Sequence, residues 1–356
     1  PNTNAMIIGC GEAQRWQCRA LDPAMQRHFD GLTRYFEDKA DFSLVSASAD
    51  GQLWLIAAAG PTIPTTYYMY DVAAASVTPI ASTQPQIPRA QLAPTRVFEY
   101  SAHDGTHLWG YLTTPTTGAG PYRTVILPHG GPMSRDSFGY DFIVQFLVSR
   151  GYAVFQPNFR GSEGSGRAFA EAGFHQWGRL MQDDITDGVH ALIDGHVADA
   201  DKICIAGISY GGYAALAGAA LTPDLYKCAI SIAGLSDLPD LLDSERSDSG
   251  RRSALYASVV QQIGDPDADH DALVAASPRR HIDQIHIPIL LIHGELDDVA
   301  PVTQSQRMRD ALQHAGKTVR YVEVPAVYHP WDGWDTNQGR MVLQEMDQFL
   351  GQNLPQ

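Results

Sequence analysis

Positive charge is scarce in this 356-residue chain: 25 Lys and Arg stand against 40 Asp and Glu, a formal net charge of -15 at pH 7. That balance argues against a polyanionic partner, whether the phosphate backbone of a nucleic acid or an anionic membrane face. Long apolar runs are also lacking. None approaches the roughly 20 residues that cross a bilayer, so no membrane span is expected. The first residues, Pro1-Asn2-Thr3, show neither a basic-then-apolar signal segment nor an initiator methionine. The expectation is a cytoplasmic protein. Periplasm and secretion stay open, because the start reads as that of a processed or truncated product.

Cysteine is rare, with four in the chain, too few for a disulfide scaffold at this length. Cys204 and Cys228 lie in apolar, strand-like runs and read as small buried hydrophobes. Cys10 and Cys18 have neither redox nor zinc spacing and are expected as reduced thiols, able to pair if the protein is exported. There is no His-Glu-x-x-His and no Gly-Lys-Ser/Thr phosphate loop, and Gly9-Cys10-Gly11 lacks the third glycine and the helix of a dinucleotide turn. No metal or organic cofactor is expected.

What is there is a soluble, globular composition, 44% hydrophobic and 18% charged, long enough for one large or two ordinary domains. Residues 1–94 read as turn-rich strands. Runs at 42–49, 52–59, 65–72 and 76–81 are joined by short turns such as Asp50-Gly51. They make up about one blade of a β-propeller, with residues 5–20 as the remains of another. So few blades leave strand edges open, to be covered by missing propeller or by a second copy of the chain. After a proline-containing linker at 84–94 the pattern changes. A hairpin at 97–113 leads into strands at 124–127, 152–156, 203–206, 227–232, 287–292 and 319–324. These alternate with helices at 138–149, 180–193, 213–221, 302–315 and 339–353, with further helices over 239–280. Strand–helix alternation from 124 onward predicts a doubly wound, mostly parallel α/β sheet over 95–356, with functional groups at the carboxyl ends of its strands.

One stretch organises that region. The apolar run 203–206 stops at Gly207, helix formers begin at Tyr213, and Ser209 sits between Gly207 and Gly211. A strand that turns at once into a helix strains the turning residue and leaves room only for glycine beside it. This Gly-x-Ser-x-Gly pattern is unique in the chain and marks Ser209 as a candidate nucleophile. A serine needs a base, oriented by a carboxylate, and on such a sheet the chain order is Ser, acid, His. His329 is the histidine that follows a strand which itself follows an acidic candidate. His293 closes a strand and reads as a turn residue, and His314 lies within a helix. The acid should follow the strand at 287–292, where Asp297 and Asp298 are adjacent and equivalent by spacing. Asp332 and Asp335 read as the start of the last helix. The oxyanion requires aimed donors. The candidates are the N–H of Tyr210, opening the nucleophile's helix, and the N–H of Gly131, in the loop His129-Gly130-Gly131-Pro132, with the His129 side chain as a further contributor.

These segments together resemble the prolyl oligopeptidase family of serine peptidases, and most closely its acylaminoacyl-peptidase-like branch. The likeness rests on Gly207–Tyr213, on the His-Gly-Gly-Pro loop at 129–132, and on Asn158-Phe159-Arg160-Gly161-Ser162. It also rests on Trp177-Gly178 with Gln182-Asp183-Asp184, and on His293-Gly294 with Asp297-Asp298. It covers about residues 95–356. The resemblance implies an α/β-hydrolase catalytic domain, assigns the triad acid to Asp297, and implies a screening β-propeller upstream. Family members carry glycine immediately before the catalytic histidine and often after it, whereas here Tyr328 and Pro330 flank His329. No propeller carboxylate pair for a substrate amine can be assigned. The expected activity is cleavage of short peptides, N-acylated ones among them, by a Ser209–His329–Asp297 acyl-enzyme route. The rivals are a carboxylesterase acting on small acyl esters, favoured if the site is unscreened, and a non-catalytic binding module on the same fold.

Overall fold

The computed structural model describes residues 8–331 and 334–355. They form two compact units. One runs up to Val97 and includes 113–116 and 137–149, and the other holds the remainder.

The first unit begins with an antiparallel ribbon, β1 (Ile8–Glu12) and β2 (Trp16–Ala20), then helix α1 (Pro23–Phe36). Four antiparallel strands follow in spatial order: β3 (Asp41–Ala47), β4 (Leu53–Gly60), β5 (Ile63–Asp71) and β6 (Ser76–Ser82). This is the single blade-sized sheet the strand runs predict. Helix α1 is not in that reading, although its signals are local. Asp22 caps it by accepting from the Met25 N–H at 2.8 Å, and Pro23 opens it. Phe29, Leu32 and Phe36 recur on one face and pack on Trp54, Ile56, Tyr68 and Tyr70 of the sheet. Burial of each such side chain is worth roughly 1.5–3 kcal/mol, so the helix is held by its apolar face.

Beyond β7 (Thr95–Ser101) and β8 (His107–Thr113), the larger unit alternates as expected: β9 (Tyr122–Ile126), α2 (Phe142–Ser149, which belongs to the first unit), β10 (Ala153–Asn158), α3 (Arg167–Glu171), α4 (Leu180–Asp194), β11 (Ala198–Ile208), α5 (Tyr210–Leu221) and β12 (Cys228–Ile232). Then come α6 (Leu238–Ser249), α7 (Ala254–Ile263), α8 (His270–Ala275), β13 (Ile289–Gly294), α9 (Thr303–His314), β14 (Val319–Val324) and α10 (Thr336–Asn353). The eight-stranded sheet has the order β14-β13-β12-β11-β9-β10-β8-β7, and β9 through β14 run parallel. After β10 the chain crosses back over β9 to place β11, then builds outward. The reversal lies between β9 and β11, and in an open α/β sheet the crevice outside the carboxyl ends at such a point is where ligands bind. Asp335 caps α10 with a reciprocal bond to Gln338, as its position before the last helix suggests. Asp332 lies outside the described residues.

The cysteine reading is corrected. Cys10 and Cys18 form one disulfide and Cys204 and Cys228 another. Each pair sits directly opposite in adjacent strands, with Cα atoms 4.1 and 4.8 Å apart. Pairing register, which sequence spacing does not reveal, brings them together. Among the described residues no helix is long and apolar enough to cross a membrane.

Candidate active site

Ser209 joins β11 directly to α5. Its backbone has φ 59° and ψ -121°, a region a residue with a side chain rarely occupies. The packing around it keeps it there. A Cβ on Gly207 would collide with the Gly211 backbone, and a Cβ on Gly211 with the Pro128 carbonyl. The hydroxyl does not cap α5, so it stays uncommitted at the positive end of a 12-residue helix.

The loop after β9 lies alongside. A Cβ on Gly130 would stand 3.5 Å from the Ser209 Cβ. Gly131 has φ 116°, a conformation that favours glycine. Among the described residues, neither the Gly131 N–H nor the Tyr210 N–H is committed to an acceptor; the latter is at the first helical position, where no intrahelical partner exists. The His129 ring is differently employed from a direct oxyanion donor. Its Nδ1 is 2.7 Å from the Gly130 carbonyl, its Nε2 2.8 Å from Ser162 Oγ, and its face stacks on Phe159 at 4.4 Å. Because a carbonyl only accepts, Nδ1 carries the proton, and Ser162 is left to donate to Nε2 or to the Phe159 carbonyl. Burial pushes the His129 imidazole down to about 4, so it stays neutral at pH 7 and holds the loop. Arg160, two residues before Ser162, is clamped by Asp184 through Nε and Nη2 at 2.8 and 2.6 Å, and its own N–H also donates to that carboxylate at 2.8 Å. Two of the recognised sequence motifs therefore meet in one buried ion pair.

On the other side of the sheet reversal, Asp297 follows β13 and His329 follows β14. His329 Nδ1 lies 2.8 and 3.0 Å from the two Asp297 oxygens. The carboxylate takes further bonds from the Ala300 N–H at 2.8 Å and the Val299 N–H at 3.0 Å, and His293 Nε2 approaches at 3.3 Å. Burial pushes the Asp297 carboxyl up, but the bonds from His293, His329 and Ala300 outweigh it and hold the group well below the usual carboxylate range. An ionised carboxylate only accepts, so the His329 proton sits on Nδ1 and Nε2 keeps its lone pair. Asp298 is exposed and makes no such contact. Of the two aspartates that spacing left equal, Asp297 is the one that is buried and bonded to His329.

His293 is the side chain the sequence reading undervalued. It is fully buried, bonded to Ser305 Oγ at 2.7 Å and to the Ala300 carbonyl at 2.8 Å, and it orients the Asp297 turn. Its spacing four residues before Asp297 was the available signal. Ser209 and residues 298–300 border one cavity together with Gly131 and Tyr210. Among the described residues the Ser209 hydroxyl is not hydrogen-bonded to His329; the joined pair is Asp297 and His329. Such bonds are commonly loose before substrate binds and tighten in the complex.

A serine on a strained strand-to-helix turn at the sheet reversal, with a carboxylate–imidazole pair two and three strands away, is the layout of an α/β-hydrolase fold. The chain belongs to the prolyl oligopeptidase family, whose sequence profile matches residues 138–356. It is 33% identical over 350 residues to dipeptidyl aminopeptidase BIII of Pseudoxanthomonas mexicana, covering 96% of this chain and 50% of that protein. Among solved structures it is similar to a puromycin-hydrolysing peptidase of Mycobacterium tuberculosis (28% identity, TM-score 0.76, 86% of this chain and 46% of that one). It is also similar to the acylaminoacyl peptidase of Pyrococcus horikoshii (25%, TM-score 0.74, 85% and 48%). The chain spans about half the length of the curated relatives it matches.

Proposed function

We propose that the protein is a serine peptidase that cleaves short peptides by acyl transfer. The observation that carries this is the Asp297–His329 pair, bonded at the carboxyl ends of β13 and β14, on the same sheet whose strained turn carries Ser209. Ser209 Oγ attacks the scissile carbonyl carbon as His329 Nε2 takes its proton. Asp297 fixes the ring and stabilises the imidazolium. The Tyr210 and Gly131 N–H groups stabilise the oxyanion. The imidazolium then protonates the departing amine, and water, activated by the same base, releases the acyl group. The relatives' names support a short peptide as substrate.

The test is labelling with a fluorophosphonate, followed by turnover of acyl-aminoacyl anilides and short p-nitrophenyl esters. The wild type should label and cleave the anilides, and Ser209→Ala should do neither. Esters cleaved far better than any peptide would move the assignment to a carboxylesterase, and an unlabelled wild type would remove catalysis altogether. Among the described residues the end strands β3 and β6 of the four-stranded sheet each pair with one strand only, which supports self-association or docking of further blades. Sedimentation of a single monomeric species, unchanged across concentration, would exclude the first.

A further inference from the structure

The cavity at Ser209 measures about 380 Å³, and its lining has a chemistry that the acyl-transfer steps leave unused. Helical spacing builds two of its sides. Leu241 and Glu245 stand one turn apart on α6, and Leu255, Val259 and Ile263 fall on one stripe of α7. Trp177, itself mostly buried, adds a further apolar edge. Against this apolar lining the charged groups among the described residues are Glu245 and Asp298, both acidic, with no lysine or arginine among them. Among the described residues Glu245 makes no ion pair. Its carboxyl is pushed up, first by burial and then by repulsion from Asp248, while the Ser249 hydroxyl one turn away holds it partly down. A cation delivered here would meet a carboxylate whose charge is poorly compensated. The helix that presents it is fixed at its start. Asp237 caps α6 and is gripped by Arg279 at 2.7 Å and Arg280 at 2.6 Å.

The cavity's place relative to the reacting atoms says which part of a substrate enters it. Ser209, Tyr210 and Gly131 border it, and among the described residues His329 does not. The base must reach the leaving group in order to protonate it, so the leaving group lies on the His329 side. The cavity therefore faces the acyl side of the scissile bond. We propose, on the basis of the serine-peptidase reading above, that this cavity takes the side chain of the acyl-side residue and that Glu245 selects one with an apolar stem and a cationic end, lysine or arginine. The methylenes lie along Leu241, Val259 and Trp177 while the charged end meets Glu245. An acidic side chain at the same place would face two carboxylates and be rejected.

The experiment measures kcat/KM for acylated anilides that differ only in that residue: arginine, lysine, norleucine and glutamate. In the wild type the cationic substrates should exceed norleucine by about tenfold or more. Glu245→Gln should collapse that ratio, and Glu245→Arg should turn it towards glutamate, with fluorophosphonate labelling of Ser209 reporting that each variant is folded. A measurement on the wild type alone guards against variants that fail to fold: hexylamine should inhibit competitively more strongly than 1-hexanol, and added salt should remove the difference. If norleucine matches or beats the cationic substrates, the ratio is unmoved in Glu245→Gln and the amine shows no advantage, the pocket assignment falls while a labelled, active enzyme leaves the peptidase reading standing. If the wild type neither labels nor turns over any substrate, the peptidase reading fails and the pocket assignment goes with it.

Discussion

At Ser209 the chain is held by excluded volume, and at His329 it is held by hydrogen bonds. The serine's neighbours, Gly207 and Gly211, pack so closely on backbone that neither has room for a Cβ, and the bonds at the turn are backbone ones, from the Ser209 N–H to the Ile232 carbonyl and from the Tyr213 N–H to the Ser209 carbonyl. The histidine instead depends on Asp297, which depends in turn on the Val299 and Ala300 N–H groups and on buried His293. The first arrangement resists small chemical change but tolerates no added atom. The second tolerates added atoms but depends on the identity of each polar group. In the proposed mechanism, steric positioning suits a nucleophile that must stay strained, and a hydrogen-bonded pair suits an imidazole that has to accept and release a proton.

That contrast can be broken or sharpened by substitution. Asp297→Asn keeps the shape but offers Nδ1 a donor as well as an acceptor, allowing the wrong tautomer. In the proposed mechanism kcat should fall by about 10³–10⁴, with the thermal midpoint moved far less. A fall in stability that accounts for the lost activity would place Asp297 in a structural role. Gly211→Ala should act the opposite way: the new Cβ meets the Pro128 carbonyl, so the cost is about 3 kcal/mol or more of folding stability, read from the denaturant midpoint. A variant as stable as the wild type would show that the elbow relaxes more freely than its packing implies.

His129 sharpens the comparison through pH. Its folded-state value, about 4, lies below the ordinary histidine value, so protonation favours the unfolded chain. Its contribution is fully present above pH 6.5 and lost as pH falls towards 4, by up to about 3 kcal/mol. The wild type should therefore lose more stability than His129→Gln between those pH values, and parallel curves would rule out the buried neutral ring. His293→Gln should lower kcat by roughly 10–100-fold, by analogy with other groups that orient a reacting ligand, and should shift the acidic limb of the pH–rate profile as Asp297 loses a donor. Asp335→Ala should cost only about 1 kcal/mol, the value of a lost helix cap.

Much of this was readable from residues alone, and the pattern of what was not is instructive. Strand–helix alternation after residue 124, the elbow around Ser209 and the strand carrying Glu323 were visible because periodicity and close backbone packing act over a few residues. Helix α1 was visible in principle, in Asp22, Pro23 and the spacing of Phe29, Leu32 and Phe36, but polar residues between them diluted the signal. The disulfides were misread because they depend on which strands lie side by side. Residue chemistry left Asp297 and Asp298 equal, and the donors that separate them come from Val299, Ala300, His293 and His329 once the turn has closed.

The sequence by itself determined the class of fold and the turn at Ser209, since these follow from chain stiffness, apolar period and the size of a glycine. Only the tertiary structure decided that Asp297 meets His329, that His129 spends its ring on Ser162 and Gly130, and that Leu241, Glu245 and the α7 stripe share one cavity. The reason is range. A hydrogen bond or a burial free energy exists only after loops far apart in the chain have been brought together, and nothing in the local spacing of residues records which partner each will find.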